Sequence, residues 1–247
     1  MEKARYGGMA GPLVDPVEFL VRATANHKQK GIFPYCDACG EVVHLYGVHT
    51  PNPQTTSRFD HANMPDDADP LDDCILADRN PRFRGLQPDG FDDARGKVLR
   101  AQFFEPELLA QAYAFCLNLC RARNLPPDLF RATLRRADKK RIWSYVGIQL
   151  WAVPYILLTL EDFSAIGKNN QRYGFHFVFQ KPRGSGGTGI AELWSPQKGC
   201  KIAKVFSDNG SQVRTGDNPY PVSESAFVEM SGDCSWITPA LLRALVP

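Results

Sequence analysis

Three cysteines and one histidine in the first third of the chain have the residue types and spacing of a metal site. Cys36 and Cys39 form a C-x2-C pair followed by Gly40, a pattern typical of a zinc knuckle. His61 follows after 21 residues and Cys74 after 12 more. Because Zn²⁺ accepts three thiolates and one imidazole in tetrahedral structural sites, the sequence predicts a Cys3His zinc site.

The fourth ligand and the role of His61 have alternatives. His44 and His49 also lie close in sequence and can replace His61 as a ligand. Alternatively, Asp60 and His61 resemble the Asp-His pair of an HNH nuclease, with a metal-binding carboxylate and a general base. However, the next proline comes four residues after His61 rather than three, and Cys74 stands alone where a second C-x2-C pair is expected. The sequence therefore favours a protein without catalytic residues.

Clustered basic residues predict nucleic acid as a partner. The net charge is only +2, but residues 60–78 hold seven Asp and no base, whereas Lys and Arg concentrate in residues 79–100 and 121–141. Such segregation creates a positive surface on a nearly neutral protein. DNA is preferred over RNA as the partner, with salt-dependent affinity. The predicted phosphate contacts are Arg123, Arg131, Arg135, Arg136, Lys139, Lys140, Lys181, Arg183, Lys198 and Lys201.

Two further features support this interpretation. The Gly-rich residues 184–189 allow close approach to a phosphate backbone, and they equally suit a hairpin tip. Trp194, Trp236 and Phe206 are candidates for stacking on bases, although core packing is the alternative for each aromatic ring.

The pattern of elements predicts an α+β fold in three parts. Residues 1–100 form a zinc-binding N-terminal module, with a helix beginning at Asp15-Pro16 and a hairpin around the knuckle. Residues 50–96 show little periodicity, so a bound metal is the candidate for holding them together.

The other two parts follow from a change of periodicity along the chain. Residues 101–163 are predicted to be helical, with helices near Pro106 and after Asp128 and with Pro154 breaking or kinking a buried apolar segment. Residues 164–247 are predicted to be an antiparallel β-rich part with a short final helix. The strand candidates are residues 173–180, 190–193, 201–206 and 226–230.

The composition of the chain indicates the cellular compartment in which the protein is expected. Hydrophobic residues make up 43% of the chain, but no apolar stretch reaches the roughly 18 residues of a membrane span. The first residues lack the apolar core of a signal peptide. Seven unevenly spaced cysteines argue against a disulfide framework. We therefore expect a cytoplasmic protein that does not associate with membranes.

A family resemblance covers residues 32–76. The segments Phe33-Pro34-Tyr35-Cys36-Asp37-Ala38-Cys39-Gly40, Arg58-Phe59-Asp60-His61 and Asp73-Cys74 resemble the zinc-finger-like module of competence protein CoiA and related bacterial zinc-ribbon proteins. Arg58 stands where that family usually has a first histidine. The resemblance implies association with DNA uptake, mobile elements or defence. It does not imply nuclease activity, because the family's nuclease domain is not evident in this chain.

The size and general features of the chain also resemble the large-subunit-like component of type IV CRISPR effectors. That resemblance implies a subunit of a larger protein assembly that contacts DNA beside a target. The sequence thus predicts a zinc-stabilised nucleic-acid-binding subunit of a defence or mobile-element assembly. A protein–protein adaptor is the alternative that involves neither catalysis nor nucleic acid.

Overall fold

In a computed structural model, the chain folds into two compact units, Met1–Pro81 and Arg82–Pro247. Helices and antiparallel sheets occur together, so the predicted α+β class is confirmed. The predicted three-part division of the chain stays a prediction. The structure describes residues 1–48, 56–65, 67–77, 81–83, 86–121, 124–166, 172–181, 190–194, 199–208, 212–215 and 219–247.

The described part of unit 1 contains one α-helix, a 3-10 turn and short strands. Its first sheet has the order β2-β1-β3, from strands Leu13–Val14, Ala4–Tyr6 and Pro34–Tyr35. Its second sheet pairs β4 (Val43–Tyr46) with β5 (Arg58–His61).

Helix α1 (Pro16–Ala23) begins as the sequence predicts. The Asp15 carboxylate accepts hydrogen bonds from the backbone N–H groups of Val17 and Glu18, at 2.9 and 2.8 Å. Pro16 occupies the first turn, where no backbone donor is required. The helix buries Phe19 in the core of unit 1.

The helices of unit 2 include one that is fully buried. They are α2 (Asp93–Phe103), α3 (Pro106–Cys120), α4 (Pro127–Lys139), α5 (Val153–Thr159), α6 (Glu224–Ser231) and α7 (Pro239–Leu245). Ten of the 15 residues of α3 are buried, so it is central rather than one-sided. Helix α5 is buried along its whole length. Pro154 lies in its first turn and therefore begins a helix where a break or kink was predicted.

The sheet of unit 2 is antiparallel and has the order β10-β8-β7-β6, with β9 also pairing with β8. The strands are β6 (Phe163–Ile166), β7 (Arg172–Gln180), β8 (Lys201–Asp208), β9 (Gln212–Thr215) and β10 (Tyr220–Pro221). The strongly alternating residues 173–180 and the residues 201–206 are strands, as predicted.

Two predicted strands are helical instead. Residues 190–194 form a 3-10 helix, and residues 226–230 belong to α6. In α6 the Ser223 hydroxyl caps the backbone N–H of Ala226 at 3.1 Å, a local signal that outweighs the apolar run. Helix α2 was not predicted, although Asp92 caps it in the same way through the N–H of Arg95.

Across the part of the chain that the structure describes, no helix combines the length and apolarity needed to cross a membrane.

Candidate metal centre and basic surfaces

The four predicted metal ligands converge in unit 1. Their ligand atoms, three sulfurs and one imidazole nitrogen, all lie within 4.8 Å of one another. The sulfurs of Cys36 and Cys74 are 3.7 Å apart, and Cys39 Sγ is 3.4 Å from His61 Nε2. Cys36 and Cys74 are buried, His61 is half-buried and Cys39 is exposed. The cluster therefore sits at the edge of the core.

The loop between β3 and β4 forms the knuckle. The Cys36 N–H donates to the carbonyl of Glu41 at 2.8 Å, and the Gly40 N–H donates to the carbonyl of Cys36 at 2.9 Å. Gly40 has a φ of 74°, in the left-handed region where a side chain is unfavourable. The Ala38 N–H points at Cys36 Sγ over 3.4 Å. The C-x2-C-G sequence thus determines this loop locally.

Cys74 reaches the knuckle from a distant segment. Its N–H donates to the Asp73 carboxylate at 2.8 Å, and its sulfur accepts from the Leu76 N–H at 3.4 Å. A 3-10 turn, Pro70–Asp72, precedes it and buries Leu71. Residues 67–77 therefore have little regular structure but hold a ligand in a defined position.

Strand pairing decides which histidine joins the cluster. His61 pairs with Val43, and paired residues share one face of a sheet. His44 pairs with Asp60 on the opposite face and is exposed. Of these two, only His61 faces the cysteines. His49 lies outside the described residues.

Two of the ligand distances fit a tetrahedral ion. With bonds of about 2.3 Å to sulfur and about 2.0 Å to nitrogen, two ligand sulfurs lie about 3.8 Å apart and a sulfur and a nitrogen about 3.5 Å apart. The Cys36–Cys74 and Cys39–His61 distances match these values. The cluster could therefore bind a metal ion, and its donor set is compatible with zinc.

The sulfurs also influence each other's ionisation. Hydrogen bonding from the Cys39 and Cys74 thiols lowers the pKa of Cys36 to about 4 despite its burial. Hydrogen bonding with Cys36 and Cys39, together with burial, raises the pKa of Cys74. The cluster stabilises a thiolate on Cys36, and thiolate is the form that binds metals.

An ion pair that the sequence analysis missed supports the knuckle. Asp37, inside the C-x2-C loop, is only 6% exposed. Arg5 on β1 donates from Nε to its carboxylate at 2.6 Å, and from its terminal nitrogen to the carbonyl of Gly11 at 3.1 Å. Asp37 was within the recognised motif, but nothing in the sequence linked it to Arg5.

No protein-family model, curated protein or solved structure matches this chain.

The predicted phosphate contacts on α4 differ in exposure. Arg135 and Lys139 are exposed, one helical turn apart on one face. Arg131, one turn earlier, is half-buried and pairs with Asp128 at 2.7 Å. Arg123 lies outside the described residues.

Two other bases of this region are used inside unit 2. Arg136 donates to the Glu161 carboxylate and to the carbonyl of Leu160, both at 2.7 Å. Lys140 is 8% exposed, and its ammonium lies 4.6 Å from the centre of the Phe83 ring. Their positions favour a role in stabilising unit 2 over the predicted role in binding phosphate.

Of the four basic residues predicted as phosphate contacts in the β-rich region, two lie within the described residues. Lys201 is exposed at the start of β8 and lies opposite Gln180, which directly precedes the half-buried Lys181. Arg183, Lys198 and the Gly-rich residues 184–189 lie outside the described residues.

The three candidate stacking residues also differ in exposure. Trp194 is buried, Phe206 is half-buried and Trp236 is 50% exposed. Burial thus separates residues that the sequence analysis treated alike.

Proposed function

We propose that this protein is a zinc-stabilised, non-catalytic, nucleic-acid-binding protein. The observation that carries the zinc assignment is the convergence of Cys36, Cys39, His61 and Cys74 within 4.8 Å, with two of the ligand pairs at tetrahedral distances. Four protein ligands complete the coordination of Zn²⁺ and leave no open position for a substrate, which is typical of a structural site. The bound ion would hold the knuckle, β5 and residues 67–77 together.

Zinc content tests this assignment directly. Purified protein should contain one zinc ion per chain by elemental analysis. His61→Ala should lose tightly bound zinc, whereas His44→Ala should retain it because His44 faces away from the cluster. Wild-type protein that binds no zinc, or equal zinc loss in both variants, would contradict the site.

Exposed bases on α4 support nucleic-acid binding. Arg135 has no hydrogen-bonding or ionic partner among the described residues, and Lys139 extends the same helix face. A row of cations spaced by one helical turn can neutralise successive phosphates without reading sequence. DNA is the preferred partner, and Lys201 and Lys181 are further proposed contacts.

Binding at two salt concentrations tests this surface. Replacing Arg135 and Lys139 by Ala should weaken DNA binding and reduce the slope of log K against log salt by about 1 for each phosphate that is no longer neutralised. Lys28→Ala with Lys30→Ala removes the same charge from exposed positions and is the matched control. Absence of binding at low salt would instead favour the protein–protein adaptor.

The competing nuclease interpretation uses His61 as a general base. Its imidazole nitrogen lies 3.4 Å from Cys39 Sγ, which favours a ligand role. Asp60 lies on the opposite face of the hairpin and accepts from Arg58 at 2.9 Å. Plasmid cleavage with Mg²⁺ or Mn²⁺ that His61→Ala abolishes without loss of zinc would support the nuclease instead.

Membership of a larger assembly rests on the resemblances alone. The CoiA-like segments at residues 32–76 include all four proposed ligands. The resemblance of size and general features to type IV CRISPR subunits leads to the same expectation, a subunit that binds DNA within a defence or mobile-element assembly. Co-purification of the tagged protein from its native host would identify such partners.

A further inference from the structure

The sheet of unit 2 has one strongly aromatic face. Phe163, Phe175 and Phe177 lie on it and are buried. Helix α5 contacts β7, which carries two of these rings. Such a face normally contains only apolar side chains, so a charged residue there requires an explanation.

Lys204 is that residue. It pairs with Phe177 across β7 and β8 and therefore lies on the aromatic face. Its ammonium is 4.3 Å from the centre of the Phe175 ring and 5.5 Å from that of Phe177. No carboxylate in the described part of the chain pairs with it. The Phe175 and Phe177 rings are its cation–π partners.

A second cation lies near Lys204. Arg121 follows the end of α3 with a φ of 66°, and its side chain is exposed. Burial lowers the pKa of Lys204; the Cys120 thiol acts in the opposite direction, and the nearby Arg121 guanidinium lowers the pKa again. Cys120 is also close, but burial raises the pKa of its thiol, so it supplies no negative charge at neutral pH. Arg121, like Lys204, has no carboxylate partner among the described residues. An anion would relieve the repulsion between the two cations.

Two aromatic rings continue this face beside Lys204. Phe206 is two residues further along β8 on the same face, a distance of about 7 Å. Its ring centre is 5.4 Å from that of Tyr173 and 6.0 Å from that of Phe175. Tyr173 and Phe206 are half-buried, whereas Phe175 is only 1% exposed. The accessible end of the aromatic face thus lies next to the cations.

We propose that these four residues form a nucleotide subsite for single-stranded nucleic acid. Lys204 and Arg121 bind a phosphate, and an unpaired base stacks on Phe206 and Tyr173. Stacking requires a base that is free of its partner strand, which favours single strands over duplexes. The proposal rests on the proposed nucleic-acid function and adds a surface distinct from the basic face of α4.

Oligonucleotide binding tests the subsite. Fluorescence anisotropy with labelled oligo-dT and oligo-U should give dissociation constants about tenfold weaker for Lys204→Met and for Phe206→Leu than for wild type. The salt slope should fall by about 0.7 for Lys204→Met, the value for one single-strand phosphate contact, and stay unchanged for Phe206→Leu. Lys97→Met, an exposed lysine on α2, is the matched control and should bind as wild type does.

An abasic probe separates stacking from phosphate binding. Wild type should prefer oligo-dT to an abasic strand of equal length, and Phe206→Leu should lose that preference. Circular dichroism must show that Phe206→Leu is folded. If it is not, Lys204→Met and its salt slope decide the test, because removing a partly buried charge should not unfold the sheet. Wild-type affinity and salt slope in Lys204→Met would overturn the subsite.

The same measurements distinguish failure of the subsite from failure of the proposed nucleic-acid function. Oligonucleotide binding that weakens when Arg135 and Lys139 are replaced, but not when Lys204 or Phe206 is replaced, would refute the subsite alone. Titration with thymidine 5′-monophosphate tests whether Lys204 binds a single nucleotide. If the wild type binds the mononucleotide through Lys204 but binds no oligonucleotide at low salt, the nucleic-acid function fails, and the site binds mononucleotides instead of the proposed single strand.

Discussion

Arg5 and Asp37 support the candidate metal centre, although their positions in the chain do not suggest that they meet. Asp37 lies between the two cysteines of the knuckle, and its carboxylate is almost buried against Arg5. With zinc bound as proposed, three thiolates and one Zn²⁺ would carry a net charge of −1, to which Asp37 would add. The Arg5 guanidinium offsets this charge and connects β1 to the loop that holds two ligands.

Arg5→Ala should therefore weaken zinc binding. Loss of residues that orient metal ligands typically lowers affinity about 10–100-fold, and loss of a charged hydrogen bond costs about 1.5–3 kcal/mol of stability. Competition with a chromophoric zinc chelator measures the affinity. Arg22→Ala is the control, because Arg22 pairs with Glu18 at an exposed site where an ion pair contributes about 0–1 kcal/mol. Equal zinc affinity in the two variants would exclude a supporting role for Arg5.

Among the elements, α2 depends on a close approach that only glycine permits. Gly96 faces the 3-10 turn Ile142–Ser144. A Cβ at this position would lie 2.5 Å from Ser144 Oγ and 2.9 Å from its Cα. The backbone of Ser144 also accepts a hydrogen bond from the Asp92 N–H at 2.7 Å, so the turn is held in place at the start of α2.

Gly96→Ala should destabilise unit 2 by about 1–3 kcal/mol, the usual cost of overpacking. Helix propensity alone predicts the opposite, a gain of up to about 1 kcal/mol. Gly90→Ala is the matched control, because its Cβ would meet only Val146, at 3.7 Å. Urea unfolding followed by circular dichroism measures both variants. A stabilised Gly96→Ala protein would show that the turn can move away from the helix.

At the scale of the whole molecule, the two units differ in what holds them together. In the described part of unit 1 the main apolar cluster has nine buried members, and two of them are proposed metal ligands. They are Ala4, Val14, Phe19, Ala23, Cys36, Val43, Phe59, Cys74 and Ala77. The core of unit 2 contains the buried helices α3 and α5 and no predicted ligand.

Chelation of zinc should therefore unfold unit 1 and leave unit 2 folded. Zinc contributes about 10–16 kcal/mol to the folding of zinc-finger peptides, which is comparable with the whole stability of an ordinary domain at about 5–15 kcal/mol. Hydrogen exchange measured by mass spectrometry, with and without chelator, should show reduced protection at α1, β4 and β5 but not at α3 or α5. Uniform protection after zinc removal would mean that apolar packing alone maintains unit 1.

Local sequence determined much of this fold and half of the candidate metal centre. The spacing of Cys36, Cys39 and Gly40 specifies the knuckle because its hydrogen bonds join residues within a few positions. Asp15 begins α1 through the two following N–H groups, and strict alternation specifies β7. His61 and Cys74 were also identified correctly as part of the cluster. The spacing alone, however, allowed His44 or His49 to replace His61 as the fourth ligand.

Tertiary structure decided what depends on partners far along the chain. Strand register selected His61 over His44, because neighbours in sequence point to opposite faces of a strand. Arg136 and Arg135 are adjacent, yet one pairs with Glu161, 25 residues away, and the other is exposed. Lys204 lies on the aromatic face only because β8 pairs with β7 in that register. Residue type fixes the charge of a side chain, but the packing of distant elements determines whether that charge reaches solvent.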